Sequence, residues 1–298
     1  MQSMRVAARE GLVQFFRRHQ RFVTRLLWII KDAHPEIPLV LDYPIPAVPR
    51  YTPGGPHPAL YTLIHAHRAT YQRLLTSFAT RYRAPLGAIA IEADEPSEPY
   101  WSNPYQPPLD ALTLYGLMAM ERPRLYMEVG SGHSTTFARR AIQDHDLPTT
   151  LVSIDPAPRA DIDALCDQVV RTPLEASDLS LFHRLQAGDM LFIDSSHRCF
   201  MHSDVTVFML EILPALPPGV LVHLHDIFLP FDYPAAWAHH FFSEQYLLAC
   251  YLLAPASRCE ILLPNYYVSQ QPSLTRIVAP LWPTGVQPAG QGFWMRTL

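Results

Sequence analysis

"LYMEVGSGHSTTFARRA", residues 125–141, changes character three times within a few positions. Leu125 to Glu128 read as an extended apolar segment ending in a carboxylate. Gly130 and Gly132 follow at once, and Ser134, Thr135 and Thr136 then open an Arg-rich helix. The pattern predicts a strand, a tight turn and a helix start. In a doubly wound sheet, ligands sit at such places, outside the carboxyl ends of the strands and beside helix N-termini. The glycines let the backbone turn sharply and approach a ligand without Cβ interference. The new helix points free N–H groups at negative charge.

Outward from this stretch, strands and helices alternate. Extended segments are predicted at Leu125–Val129, Thr150–Ile154, Gln168–Arg171, Met190–Ile193 and Val220–His225, with helices between most of them. Such alternation implies a parallel sheet with right-handed crossovers. "CEILLPNYYV" (259–268) and "GFWMRTL" (292–298) read as a final pair of strands, the second preceded by a loop over 283–290. The expected class is α/β: a Rossmann-like, doubly wound, mostly parallel sheet with an antiparallel last strand. Residues 1–95 are expected to form a helical, Pro-rich extension, and 96–298 the catalytic domain. Within the extension, 1–33 has helical periodicity and a mostly positive face (Arg5, Arg9, Arg17, Arg18, Arg21, Arg25, Lys31). Two readings fit it: a helix lying on an anionic membrane surface, or one packed on its own domain or a second subunit. Helices are also expected near 59–82 and 109–120.

The chain has 298 residues, 49% hydrophobic and 17% charged, with a net charge of −4. It describes an ordinary globular core with no general attraction for nucleic acid. Thirty prolines, roughly twice the usual share, imply many stiff irregular connections. Four scattered cysteines without CxxC spacing give neither a zinc pattern nor a disulfide framework. No apolar run reaches the ~18 residues of a membrane span, and no signal-peptide pattern opens the chain. A cytoplasmic setting is the expectation.

The glycine turn discriminates between nucleotide ligands. A dinucleotide fingerprint wants a third glycine where Thr135 stands, and Glu128 would meet a pyrophosphate as a like charge. A ligand that is cationic at that end suits the acid, and S-adenosylmethionine (SAM) carries an ammonium, a sulfonium and a carboxylate. "LVSIDP" (151–156) then ends a strand in Asp155, where a carboxylate can accept both ribose hydroxyls. A purely structural strand-helix turn is the alternative.

"YMEVGSGHST" (126–135), "VSIDP" (152–156), "GDMLFIDSSH" (188–197), "GVLVHLHDIFLPFDYP" (219–234) and "EQYLL" (244–248) resemble the class I SAM-dependent methyltransferases. The likeness is to a bacterial branch with Asp-Ser-Ser-His and His-Asp-Ile-Phe motifs, similar to metal-dependent small-molecule O-methyltransferases. It runs from about Glu98 to the C-terminus, with Ser134 where many relatives have a third glycine. It implies donor contacts from Glu128, Gly130, Ser131, Gly132, Ser134, Asp155 and Asp194.

A second constellation follows two later strands. Asp194 ends one, with His197 three residues on, and His225 and Asp226 end the next. Two carboxylates and two imidazoles converging there can hold a divalent ion, which would lower the pKa of a bound hydroxyl. Asp194, His225 and Asp226 match the family's ligand positions, with magnesium or manganese expected ahead of iron; an acidic pair is more usual than His-Asp. His197 matches the base, and its unperturbed pKa of ~6.5 suits proton transfer. His223 reads as a core histidine and His239–His240 as a surface pair. Tyr233 and Trp237 in "FLPFDYPAAW" (228–237) are candidates to face substrate, with Trp101 and Tyr105 closing the other side; packing roles fit all four equally.

The leading expectation is therefore a SAM-dependent methyltransferase acting on a small-molecule hydroxyl with a divalent metal. The alternatives are a non-haem iron oxidoreductase of hydroxylase-like kind, for which two histidines and an acid form a ligand set, and a non-catalytic SAM-binding partner. No nucleic-acid partner is expected; peripheral membrane contact and a homo-oligomer remain open.

Overall fold

The computed structural model describes residues 48–93, 95, 97–158, 160–283 and 285–298, and the expected basic helix over 1–33 lies outside them. Residues 48–298 form one compact unit. Its centre is a seven-stranded sheet of β1 (Leu125–Val129), β2 (Thr150–Ile154), β3 (Gln168–Val170), β4 (Met190–Ile193), β5 (Leu221–Leu224), β6 (Cys259–Pro264) and β7 (Phe293–Thr297). The order across the sheet is β3-β2-β1-β4-β5-β7-β6. The first five strands are parallel, and β7 runs antiparallel between β5 and β6. This is the Rossmann-like architecture expected.

β1 and β4 are buried along their whole length, as parallel strands covered on both faces must be. Helix α3 (Pro108–Glu121) is buried continuously from Leu109 to Ala119. It ends at Arg122, whose φ of 53° is left-handed, just before Pro123. It packs on α4 (His133–Asp144), the helix opened by the glycine turn. Upstream, the predicted helix over 59–82 is divided at His67 into α1 (Pro58–Ala66) and α2 (Arg68–Arg81). Further on lie α5 (Asp204–Val207), α6 (Glu244–Leu253), α7 (Asn265–Ser269) and α8 (Pro272–Val278). α2 packs on α8 and β6, and α1 on α6.

"CEILLPNYYV" does not stay extended. β6 stops at Pro264, and α7 begins at Asn265, a fully buried residue whose amide donates to Asp110 Oδ1 at 2.7 Å and Thr113 Oγ1 at 2.8 Å. Those bonds to α3 turn the chain inward where the apolar pattern alone continued a strand.

Register positions the functional edge. Val129 pairs with Ile154 and Ile193, and Ile193 with Leu224, so β1, β2, β4 and β5 end level. The ladder then runs one step further. Gly130 N–H donates to the Ile154 carbonyl at 3.0 Å, Asp194 N–H to Val129 at 2.8 Å, and His225 N–H to Ile193 at 2.9 Å. Gly130, Asp155, Asp194 and His225 thus form one row along the carboxyl edge.

Candidate active site

Between the ends of β1, β2 and β4 lies a cavity of about 350 Å³, large enough for a small ligand. Asp155, Glu175, Asp194 and Asp204 line it, and no lysine or arginine is among the described lining residues. Asp155 accepts from Ser131 N–H and Ala157 N–H, each at 2.8 Å. Asp204 accepts from Ser196 N–H at 2.7 Å and fixes the loop after β4. These bonds orient Asp155 and Asp204 without cancelling their charge, while Asp194 also faces His197; with no cationic side chain among the described lining residues, the cavity favours a cation.

Three residues of the opening motif, Glu128, Gly130 and Ser134, make close contacts within the protein itself. Glu128 is fully buried. It accepts from Tyr126 Oη at 3.0 Å, Ser134 Oγ at 3.3 Å and Thr135 Oγ1. Burial raises its pKa to about 7 against the pull of those hydroxyls. It therefore ties the strand end to the first turn of α4, and Ser134 shares in that tie. Gly130 has φ +78°, and a Cβ there would overlap the Asp194 carbonyl oxygen. The close approach it permits is to β4. At Gly132 nothing stands within 4 Å of a would-be Cβ, so the turn is open at its second glycine.

Beside the cavity, two imidazoles interleave with four carboxylates. His197 is 4% exposed with φ +59°. Its Nε2 stands 3.1 Å from Asp194 Oδ1 and 3.4 Å from Asp226 Oδ2, and its Nδ1 2.9 Å from Glu244 Oε2. Burial alone would lower its pKa, but the carboxylates outweigh it and raise it to about 10. At neutral pH His197 is an imidazolium. His225 is buried too, with Nδ1 3.3 Å from Asp226 Oδ1 and Nε2 3.6 Å from Asp110 Oδ2, contacts of ion-pair length without a hydrogen bond at Nε2. Burial opposes its charge, yet its acidic neighbours hold its pKa well above the usual range. His223, stacked on Phe192 at 4.0 Å, is a buried neutral core residue, its pKa pushed well down chiefly by burial.

The expected metal set of Asp194, His225 and Asp226 does not fit a divalent ion in this arrangement. Among the described residues, no group of three or more His, Cys, Asp or Glu is disposed to hold one. In this arrangement His197 Nε2 lies between Asp194 and Asp226, and the His225 nitrogens face Asp110 and Asp226. Asp194 Oδ1 stands 3.1 Å from His197 Nε2 and 3.7 Å from His225 Nδ1, and among the described residues this trio is not disposed to hold iron either.

Of the four aromatic candidates, Trp101 is a core residue, 1% exposed and wedged between Phe137 and Trp282. Tyr233 is likewise buried, its hydroxyl accepting from Gln245 N–H at 3.3 Å. Tyr105 is half exposed and stacks on His133, next to Gly132. Trp237 is part-buried, edge-on to Phe228 and Phe242. Sequence reasoning missed Glu244 and Asp110. Glu244 opens α6, and Asp110 sits in the first turn of α3. Both are charged residues inside otherwise apolar helices, which is a signal, though it names no partner.

Residues 127–227, about a third of the chain, match a family described as a methyltransferase domain. No curated protein matches the chain. The solved structures similar to this chain include three methyltransferases. The SAH-bound Podospora anserina methyltransferase PaMTH1 is 13% identical with a TM-score of 0.39, over 63% of this chain and 77% of that one. A candidate O-methyltransferase from Klebsiella pneumoniae is 14% identical (TM-score 0.35; 80% and 96%). The plantazolicin methyltransferase BpumL in complex with SAH is 11% identical (TM-score 0.34; 80% and 99%). Among the described residues no helix is long and apolar enough to cross a membrane.

Proposed function

We propose that this protein is a SAM-dependent methyltransferase acting on a small-molecule hydroxyl. The observation that carries the reading is the cavity at the sheet's carboxyl edge, with four carboxylates and no described basic side chain lining it. A pyrophosphate would be repelled there and a sulfonium nucleoside attracted. The methyltransferase-domain match over 127–227 supports the same reading. Bound SAM supplies an electrophilic methyl group.

The protein's own residues then have distinct tasks. Asp155 and the open turn at Gly132 hold the donor, and Asp194 separates the donor cavity from His197. The imidazolium of His197 stabilises negative charge developing on the acceptor oxygen. It is therefore not the resting base. Asp226, whose Oδ1 is held by His225 Nδ1 at 3.3 Å, takes the hydroxyl proton. With SAM bound, its methyl group would pass to the acceptor oxygen as that oxygen gives its proton to Asp226, and the C–S bond electrons would stay with sulfur. In this reading the cationic role anticipated for a metal falls to His197.

Calorimetry with SAM, SAH and NAD tests the donor step, and radiolabelled methyl transfer to a panel of phenols and polyols tests the acceptor. SAM and SAH are expected to bind and NAD not to. Absence of heat with both SAM and SAH, or preferential binding of NAD, removes the reading. Asp226→Asn is expected to lower methyl transfer about 100-fold or more while donor affinity is kept.

A further inference from the structure

The backbone of His197 lies in the left-handed region, at φ +59°, which side chains bearing a Cβ seldom adopt and surrounding structure must enforce. The first turn of α6 provides that enforcement. Ser243 N–H and Glu244 N–H both donate to the His197 carbonyl, at 2.8 and 3.2 Å. Cys199 N–H donates to Ser243 Oγ at 2.9 Å, and Arg198 Nε to the His240 carbonyl at 2.8 Å. The loop carrying His197 is thus laced, at the histidine and just after it, to the start of α6 and the segment leading into it.

Glu244 completes the grip. Its side chain has no exposure, and its Oε2 stands 2.9 Å from His197 Nδ1. Its other side-chain partner among the described residues is Ser195 Oγ, at 3.4 Å, in the same loop. A buried carboxylate is costly without a strong partner. A helix N-terminus favours an acid only weakly by comparison. By contrast, Asp110 accepts from two backbone N–H groups and an amide, so that acid has a structural task of its own. Among the described residues, both hydrogen-bond partners of the Glu244 side chain, His197 and Ser195, belong to the His197 loop.

We propose that Glu244 is a positioning residue, which fixes the ring of His197 with a proton on Nδ1 and turns Nε2 toward Asp194 and Asp226. This rests on the reading of His197 as the group that meets the acceptor oxygen. The adjacent Gln245 extends the device. It accepts from Phe228 N–H at 2.9 Å and donates to the Phe231 carbonyl at 3.3 Å. One helical turn therefore holds both the histidine and the aromatic segment after β5.

The test uses the full chain with ¹⁵N-labelled histidine, recorded by long-range ¹H–¹⁵N spectroscopy at neutral pH. The His197 resonances are assigned by their loss in His197→Gln. The expected result is a slowly exchanging Nδ1–H in the wild type that disappears in Glu244→Gln, with SAM affinity by calorimetry unchanged, because Glu244 does not line the donor cavity. Identical His197 signals in wild type and Glu244→Gln overturn the proposal. Should that variant fail to fold, the wild-type spectrum decides: an unprotonated or freely exchanging Nδ1 overturns it. Failure of the wild type to bind SAM would remove the methyltransferase reading while leaving the Glu244–His197 result intact.

Discussion

Gly130 is the residue on which the site geometry turns. Its positive φ and the Asp194 carbonyl beside it leave no room for a side chain. Gly130→Ala should therefore destabilise the fold by about 3 kcal/mol or more, in the tail of single-substitution effects. Urea unfolding would read that loss, and calorimetry the accompanying loss of donor binding. Glu128 makes a different prediction. Its pKa rises from 4.5 in the unfolded chain to about 7 in the fold, so the folded protein keeps a proton that the unfolded chain releases between those values. Stability should fall as pH rises through that window. Glu128→Gln should flatten that slope in denaturant titrations at stepped pH; an unchanged slope would place the titration elsewhere. The carboxylate was legible in the sequence, but its partners were not: the hydroxyls of Tyr126, Ser134 and Thr135 hold it in the interior.

Two helix starts deliver what the strand ends alone do not. The first turn of α3 brings Asp110 under the loop before β7, where it accepts from Gln291 N–H at 2.8 Å, Gly292 N–H at 2.9 Å and Asn265 Nδ2 at 2.7 Å. Ile227 N–H donates to the Gln291 carbonyl at 2.7 Å, so the same loop steadies the segment carrying Asp226. Asp110→Ala would strand those donors in the interior at about 1–3 kcal/mol each. The expected outcome is a loss of several kcal/mol in denaturant unfolding, with amide exchange accelerated first at Gln291 and Gly292. Uniform acceleration across the sheet would contradict a local staple. Of the elements, β1, β2 and β4 were readable to the residue, because a strand buried on both faces reads as a near-continuous apolar run. β6 was over-read into 265–268, because apolar texture does not show where a side-chain bond such as Asn265 to Asp110 will turn the chain.

For the whole molecule, the interleaving of acids and imidazoles makes stability depend on pH in a defined direction. His197 has its pKa raised from 6.5 to about 10. Its contribution is fully present below about 6.5 and is lost as pH rises through about 10. The thermal unfolding midpoint should therefore fall across that alkaline window, and His197→Gln should flatten the fall. A midpoint that rises between those values would refute the charge arrangement. The sequence by itself determined the layered α/β sheet, since burial on two faces writes its own apolar runs and glycine turns. It also determined that Asp155, Asp194, His197, His225 and Asp226 gather at one edge, because in a parallel sheet every strand ends on the same side. Only the tertiary structure decided what that edge does. Whether Asp194 and Asp226 enclose an ion or an imidazolium depends on where Glu244 and Asp110 arrive from distant helices. Electrostatic pairing acts through space, and no spacing along the chain encodes which charges will meet.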